Sequence, residues 1–181
     1  MSGSADETIW EALGRTGLVE AAHEVDHDEH VDRRVGRFDP LRDPSAVERL
    51  AGAVAAATRG TPTAVLVPDG VAAAVLGFAV ATRFDAPVIR LFIDEGLVVN
   101  AGVIRPGERA LVVSPLADDV FLARAEGYLR GGEADVLDAL AILGAGPSRM
   151  RALVDLQARR SLADACPLCG GADRKQRRDR P

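Results

Sequence analysis

Apolar positions along this chain fall into short solid runs separated by longer amphipathic stretches, with Gly, Pro and Asp as punctuation. Residues Ile9 to Leu18 predict a short helix with Trp10, Leu13 and Leu18 on its apolar side. His23 to Asp39 is charged and has no helical period. Val25, Val31 and Val35 punctuate it, which predicts short edge strands or an irregular cover. Asp43 can cap a helix whose first turn holds Pro44. Val47, Leu50, Ala51, Val54 and Ala55 give that helix one apolar face, and Gly60 stops it. Thr63 to Val67 is a fully apolar run of the kind a buried parallel strand shows. Pro68-Asp69-Gly70 is a turn, and Val71 to Arg83 predicts a buried helix. Pro87 to Ile93 and Ala110 to Val113 are further strands, with a hairpin or excursion from Leu97 to Ile104 closed by Pro106-Gly107. Asp118 to Leu129 predicts a helix ending at Gly131-Gly132, and Val136 to Leu143 a last central strand. Ser148 to Leu162 predicts an Arg-rich amphipathic helix on Met150, Leu153, Val154 and Leu156.

Strands alternating with helices imply right-handed crossovers and a parallel sheet covered on both faces. Ligands of such sheets sit beyond the carboxyl ends of the strands. The loops after Val67, Phe92 and Val113 are therefore the places for chemistry.

Composition narrows the picture. At 181 residues the chain suits one core, and with 4% aromatics that core is built from Ala, Val and Leu. A net charge of -5 gives no electrostatic footprint for nucleic acid. No apolar run approaches the roughly 20 residues that span a bilayer, and the acidic Met1 to Glu7 is not a signal peptide, so a cytoplasmic protein without membrane contact is expected. Lys175 is the only lysine.

The run Gly102-Val-Ile-Arg-Pro-Gly-Glu-Arg-Ala-Leu-Val-Val113 resembles the lead-in to the diphosphate-sugar loop of orotate phosphoribosyltransferases. The order around it also fits: Gly14 to Leu18 resembles the end of the family's N-terminal helix. His23 to Arg34 falls at its hood, Asp43-Pro44 opens the matching helix, and Pro68-Asp69-Gly70 with Gly77 stands at its pyrophosphate loop. Ser161 to Cys169 resembles a Cys-Pro-Leu-Cys element of some members, so the likeness runs from about Ile9 to Gly170. It implies a type I phosphoribosyltransferase-like α/β domain over residues 1–165, with a central parallel sheet flanked by helices, a hood at about 18–42, and a tail over 166–181. It further implies a homodimer, a nucleotide or sugar-phosphate ligand, and Mg²⁺ if the protein is active.

Members carry two adjacent carboxylates for the ribose hydroxyls after the third of these strands, then threonines and glycine where the helix N-terminus cradles the 5-phosphate. This chain departs throughout. Ser114 and Pro115 stand at the acidic pair, Leu116 and Ala117 follow, Asp118 and Asp119 stand at the threonines, and Val120 and Phe121 replace glycine. At about 4 Å each like-charge pair costs roughly 1 kcal/mol in water and about 4 at an effective dielectric of 20. Micromolar affinity is worth only about 8. The catalytic-loop equivalent, Arg90 to Gly96, keeps Arg90 but has no lysine, and adds Asp94 and Glu95. The departures imply a catalytically impaired or inactive relative acting as a binding, regulatory or partner subunit. The other reading is a working transferase that displaces pyrophosphate with a nitrogen base such as orotate. Arg90 and Arg105, with Asp69 and Gly70, are the candidates for remaining anion contact.

Asp118 and Asp119 also have a structural role open to them, since acidic residues in a first turn stabilise the helix dipole by about 0.3–1 kcal/mol. His23, His27 and His30 lie among carboxylates, but read as an exposed polar hood rather than a metal site. Cys166 and Cys169 supply half of a tetrahedral zinc set, completed where two chains meet, or are a tail element without metal. The basic run Arg174 to Arg180 reads as a disordered tail.

Overall fold

The structure is a computed structural model and describes residues 3–26, 29–95, 97–100, 102–156 and 160–162. The apolar runs become the central strands. β3 (Ala64–Pro68), β4 (Val88–Asp94), β6 (Arg109–Leu116), β7 (Asp135–Gly144) and β8 (Arg151–Asp155) run parallel, and β5 (Leu97–Asn100) turns back antiparallel on β4. The order across this six-stranded sheet is β5-β4-β3-β6-β7-β8. A second, antiparallel sheet of β1 (Val19–Asp26), β2 (Glu29–Val35) and β9 (Arg160–Leu162) forms the small hood.

Helices cover both faces of the main sheet. On one side α1 (Gly3–Arg15), α2 (Pro44–Ala57) and α3 (Val71–Ala81) pack Leu13, Leu50, Val54 and Leu76 against Val65, Val67, Leu111 and Val113. On the other, α4 (Asp119–Gly131) packs Phe121, Leu122, Ala125 and Leu129 against Leu66, Ile89, Leu91 and Val112. Alternate residues of the central strands thus serve two separate cores, which is why β3 is apolar without a break. α2 begins as its sequence dictates, with the Asp43 carboxylate accepting the Ala46 N–H at 3.0 Å and Pro44 in the first turn.

Three expectations are corrected. The first helix runs from Gly3 to Arg15 rather than from Ile9 to Leu18, because Gly17 adopts φ 74° and turns the chain before Leu18, which is buried. The helix expected over Ser148 to Leu162 does not form: this stretch supplies β8 and β9. Its apolar spacing suits either period, and the open edge of β7 decides. β8 pairs with it from Leu140–Arg151 to Gly144–Asp155, and the Arg151 guanidinium donates to Asp138 and to the Ala57 carbonyl, both at 2.7 Å. β7 is therefore not the last strand of the sheet.

Gly77 is where α3 comes closest to the sheet. A Cβ there would stand 2.6 Å from Cγ1 of Val67, a fully buried and β-branched neighbour. Gly77→Ala gains about 1 kcal/mol of helix propensity, but overpacking a rigid core costs about 1–3 kcal/mol. A net loss of about 1 kcal/mol is expected, read as a melting temperature lowered by about 2–4 °C. An unchanged or raised melting temperature would show that α3 can lift from β3 at no cost.

Candidate functional site

β3 and β6 are neighbours, yet their connections leave in opposite directions: β3 continues through α3 to β4, and β6 through α4 to β7. The β3–β6 pairing ends at Leu66–Val112, and beyond it the two chains part. Pro115, which has no N–H to give, lies past that last pair. The opening holds a cleft of about 820 Å³ lined by the turn Pro68-Asp69-Gly70, the start of α3, residues 114–116 and Asp118, and roofed by residues 37–41. This is the switch point at which open α/β sheets take ligands.

On the β6 side the cleft wall is locked from within. Asp118 caps α4: its Oδ1 accepts the N–H of Val120 at 2.9 Å and of Phe121 at 3.0 Å. The Asp118 N–H itself meets the Met150 sulfur at 3.4 Å, and the Ala117 N–H donates to the Leu143 carbonyl at 2.9 Å. Four amides of the loop therefore have acceptors inside the protein. Phe121 is buried in the core behind them, while Val120 is exposed. Asp119 is held by the loop before β8, accepting the Ser148 hydroxyl at 2.7 Å and the Arg149 N–H at 2.9 Å. These donors, the Ser148 hydroxyl first, keep the Asp119 carboxyl below the ordinary carboxylate range. Arg149 reaches across to pair with Glu126.

On the β3 side the arrangement is open. Gly70 opens α3 at φ 122° and ψ 148°, a conformation that favours glycine, and no side chain caps the helix. The first intrahelical bond runs from the Ala74 N–H to the Gly70 carbonyl, leaving the preceding amides without one. Asp69 lies beside this end, 3.6 Å from the Arg90 guanidinium.

Of the residues singled out in the sequence, the structure brings Asp69, Gly70, Ser114, Pro115, Leu116 and Asp118 to the cleft. Arg90 stands on β4 outside the cleft lining and is paired with Asp69. The run from Arg90 to Asp94 is strand, paired antiparallel with β5 from Phe92–Asn100 to Asp94–Leu97, with Glu95 at φ 46°. Arg105 is at the other end of the sheet: it sits in the turn that enters β6, its N–H bonded to Glu108 at 2.9 Å. The β6 residues 109–113 separate that turn from the cleft by roughly 17 Å. His27, Cys166, Cys169 and the basic tail lie outside the described residues. Arg37 to Leu41 fall within the expected hood and the latch Ser148-Arg149 within the expected helix, so neither stands out in the sequence as part of a site. Pro40 and the pair Gly146-Pro147 were the available signals.

The cleft's charged lining is Arg37, Asp39, Asp69 and Asp118, three carboxylates to one guanidinium. Each carboxylate already has a partner, since Asp39 accepts the Leu41 N–H at 3.1 Å. Among the described residues no group of three His, Cys, Asp or Glu side chains could hold a metal ion.

No protein-family model matches the chain, and no curated protein matches it. Solved structures do. UMP synthase from Leishmania donovani is 15% identical with a TM-score of 0.61, covering 85% of this chain but 37% of its own. Orotate phosphoribosyltransferase from Aeropyrum pernix is 18% identical with a TM-score of 0.60, covering 81% of this chain and 93% of its own. Adenine phosphoribosyltransferase from Saccharomyces cerevisiae is 11% identical with a TM-score of 0.58, covering 82% and 99%. At these identities the likeness is one of architecture: the chain has the type I phosphoribosyltransferase fold.

Proposed function

We propose that this protein keeps the phosphoribosyltransferase fold but does not carry out sugar-phosphate transfer, and acts as a binding, regulatory or partner subunit. One observation carries this reading. The amides at the start of α4, which a sugar 5-phosphate would need, are taken by Asp118, and Asp119 beside it is latched by Ser148 and Arg149. A bound phosphate would have to displace the cap and then sit against two carboxylates. The helix terminus offers an anion about 0.3–1 kcal/mol, up to about 2 where partly buried. Both carboxylates are exposed and partly screened by water, and their repulsion acts on top of the two amides already taken by the cap. The carboxylates at the cleft are committed to the cap, to Arg90 and to a turn, which does not suit them to hold Mg²⁺.

A second reading, a working transferase, draws on one feature: the uncapped start of α3 still offers backbone donors to the cleft. Under it, the diphosphate end of a ligand would bind there while the 5-phosphate stayed in solvent.

Calorimetric titration of the folded protein with 5-phosphoribosyl diphosphate and Mg²⁺ separates the two. No heat is expected up to about millimolar ligand, whereas a micromolar dissociation constant would overturn the proposal. The combined variant Ser114→Glu, Pro115→Asp, Asp118→Thr, Asp119→Thr, Val120→Gly should gain binding in the same assay, to a dissociation constant below about 1 mM. No gain in a folded variant would mean that this loop is not the phosphate seat. The latch can be read separately. A depressed folded-state pKa makes the Asp119 contribution complete above the unfolded value near pH 4, and the contribution is lost as pH falls through the lower folded value. Asp119→Asn should therefore lower the melting temperature at pH 7, and the gap from wild type should close under acid below about pH 4. A gap that persists in acid would show that Asp119 acts through packing instead.

A further inference from the structure

Two polar residues, Thr16 and Ser114, are buried among the described residues, and they differ. The Thr16 hydroxyl donates to the Ala12 carbonyl at 3.0 Å. Ser114 is 5% exposed, and its hydroxyl has no hydrogen-bond partner among the described residues. A hydroxyl taken from water without a partner is costly, so such a group calls for a ligand or an ordered water. Ser114 follows the apolar run Ala110 to Val113 at the point where β6 reaches the cleft, and it forms part of the cleft wall. The rest of that wall has two characters. Most of it is apolar, with Pro68 and Pro115 on the two banks. Leu41 on the roof and Val71 at the start of α3 also line it, yet are 67% and 68% exposed. Its charged residues, Arg37 against Asp39, Asp69 and Asp118, leave two negative charges in excess.

We propose that the cleft binds a small organic cation, a protonated amine on an apolar body, with the ammonium at Ser114 and the body under Leu41 and Val71. The inference rests on the reading of this cleft as unsuited to sugar phosphates, and names the class of ligand that takes their place. Charge is the first argument. An excess of two carboxylates in a cleft of a chain of net charge -5 draws cations and turns anions away. Hydrogen bonding is the second. An ammonium has three donors and no acceptor, so it needs free oxygens. The Ser114 hydroxyl is one. Asp118 spends only Oδ1 on its two amides, and Asp39 only Oδ1 on the Leu41 N–H, which leaves an oxygen on each. Single hydrogen bonds of this kind do not ask for the closed shell of oxygens that Mg²⁺ requires. Size is the third, because about 820 Å³ suits a small organic molecule and an apolar wall suits its body. The start of α3 favours anions, but Asp69 stands beside it.

Ligand-observed fluorine NMR on the full chain at pH 7 tests this with three probes of one shape: para-fluorophenethylamine, para-fluorophenethyl alcohol and para-fluorophenylacetate. The amine is expected to bind with a dissociation constant below about 1 mM, and the carboxylate not at all up to about 10 mM. The alcohol should bind at least about fivefold more weakly than the amine. Ser114→Ala should weaken the amine about tenfold, the effect of losing a hydrogen bond to a charged group. Asp39→Asn, which keeps an oxygen for the Leu41 N–H, should weaken it about threefold. Asp85→Asn removes the same charge from an exposed turn before β4, at the other end of the strands, and should change nothing. Melting temperatures check that each variant is folded. Carboxylate binding as tight as the amine's, or amine binding indifferent to both Ser114→Ala and Asp39→Asn, would overturn the proposal. So would a protein that binds none of the three probes. If 5-phosphoribosyl diphosphate is also silent in calorimetry, only this inference falls; if it binds at micromolar level, the reading beneath it falls as well.

Discussion

The parting of β3 and β6 above Leu66 and Val112 is the constraint from which the rest of the site follows. Two neighbouring parallel strands send their chains to helices on opposite faces, so no backbone bridges the gap at their carboxyl ends. The gap has to be filled by a ligand or by the protein's own loops. In this chain the two banks differ. The β3 bank ends in a glycine-opened, uncapped helix. The β6 bank ends in a helix whose first turn is closed by its own Asp118 and latched by Ser148.

That asymmetry explains why a loop with two adjacent carboxylates is stable here. A carboxylate at a helix start is well placed electrostatically, and Asp118 also supplies the acceptor that exposed N–H groups require. The same side chain that stabilises α4 occupies two of its first backbone amides. The latch goes further, because Ser148 and Arg149 tie the start of α4 to the edge strand β8, so the bank is fixed by two elements rather than one.

The exposed face of α3 follows from the same geometry seen from outside. α3 covers β3, the near part of β4 and part of β6, and Gly77 lets it approach Val67 and Val88 closely. The outer half of β4 and all of β5 extend past the helix. Their residues facing that side, Phe92 and Leu97, are exposed among the described residues.

How much of this could be read from residues alone depends on how local the physics was. Solid apolar runs at Thr63 to Val67 and Ala110 to Val113 declared a parallel sheet, because a strand buried on both faces cannot afford polar alternation. Asp43-Pro44 and Asp118 marked helix starts, because a cap is satisfied within three residues. Those signals determined the α/β class and most element positions. The stretch from Ser148 to Leu162 was illegible, since its apolar spacing fits helix and strand alike and the choice lay with the edge of β7, distant in sequence. Arg90 and Arg105 looked equivalent as cations. Only the tertiary structure put one beside Asp69 and the other at the far end of β6, because chain direction through a sheet decides which end a loop occupies. The latch of Ser148 on Asp119 spans 29 residues, and such a bond depends on packing that no local pattern encodes.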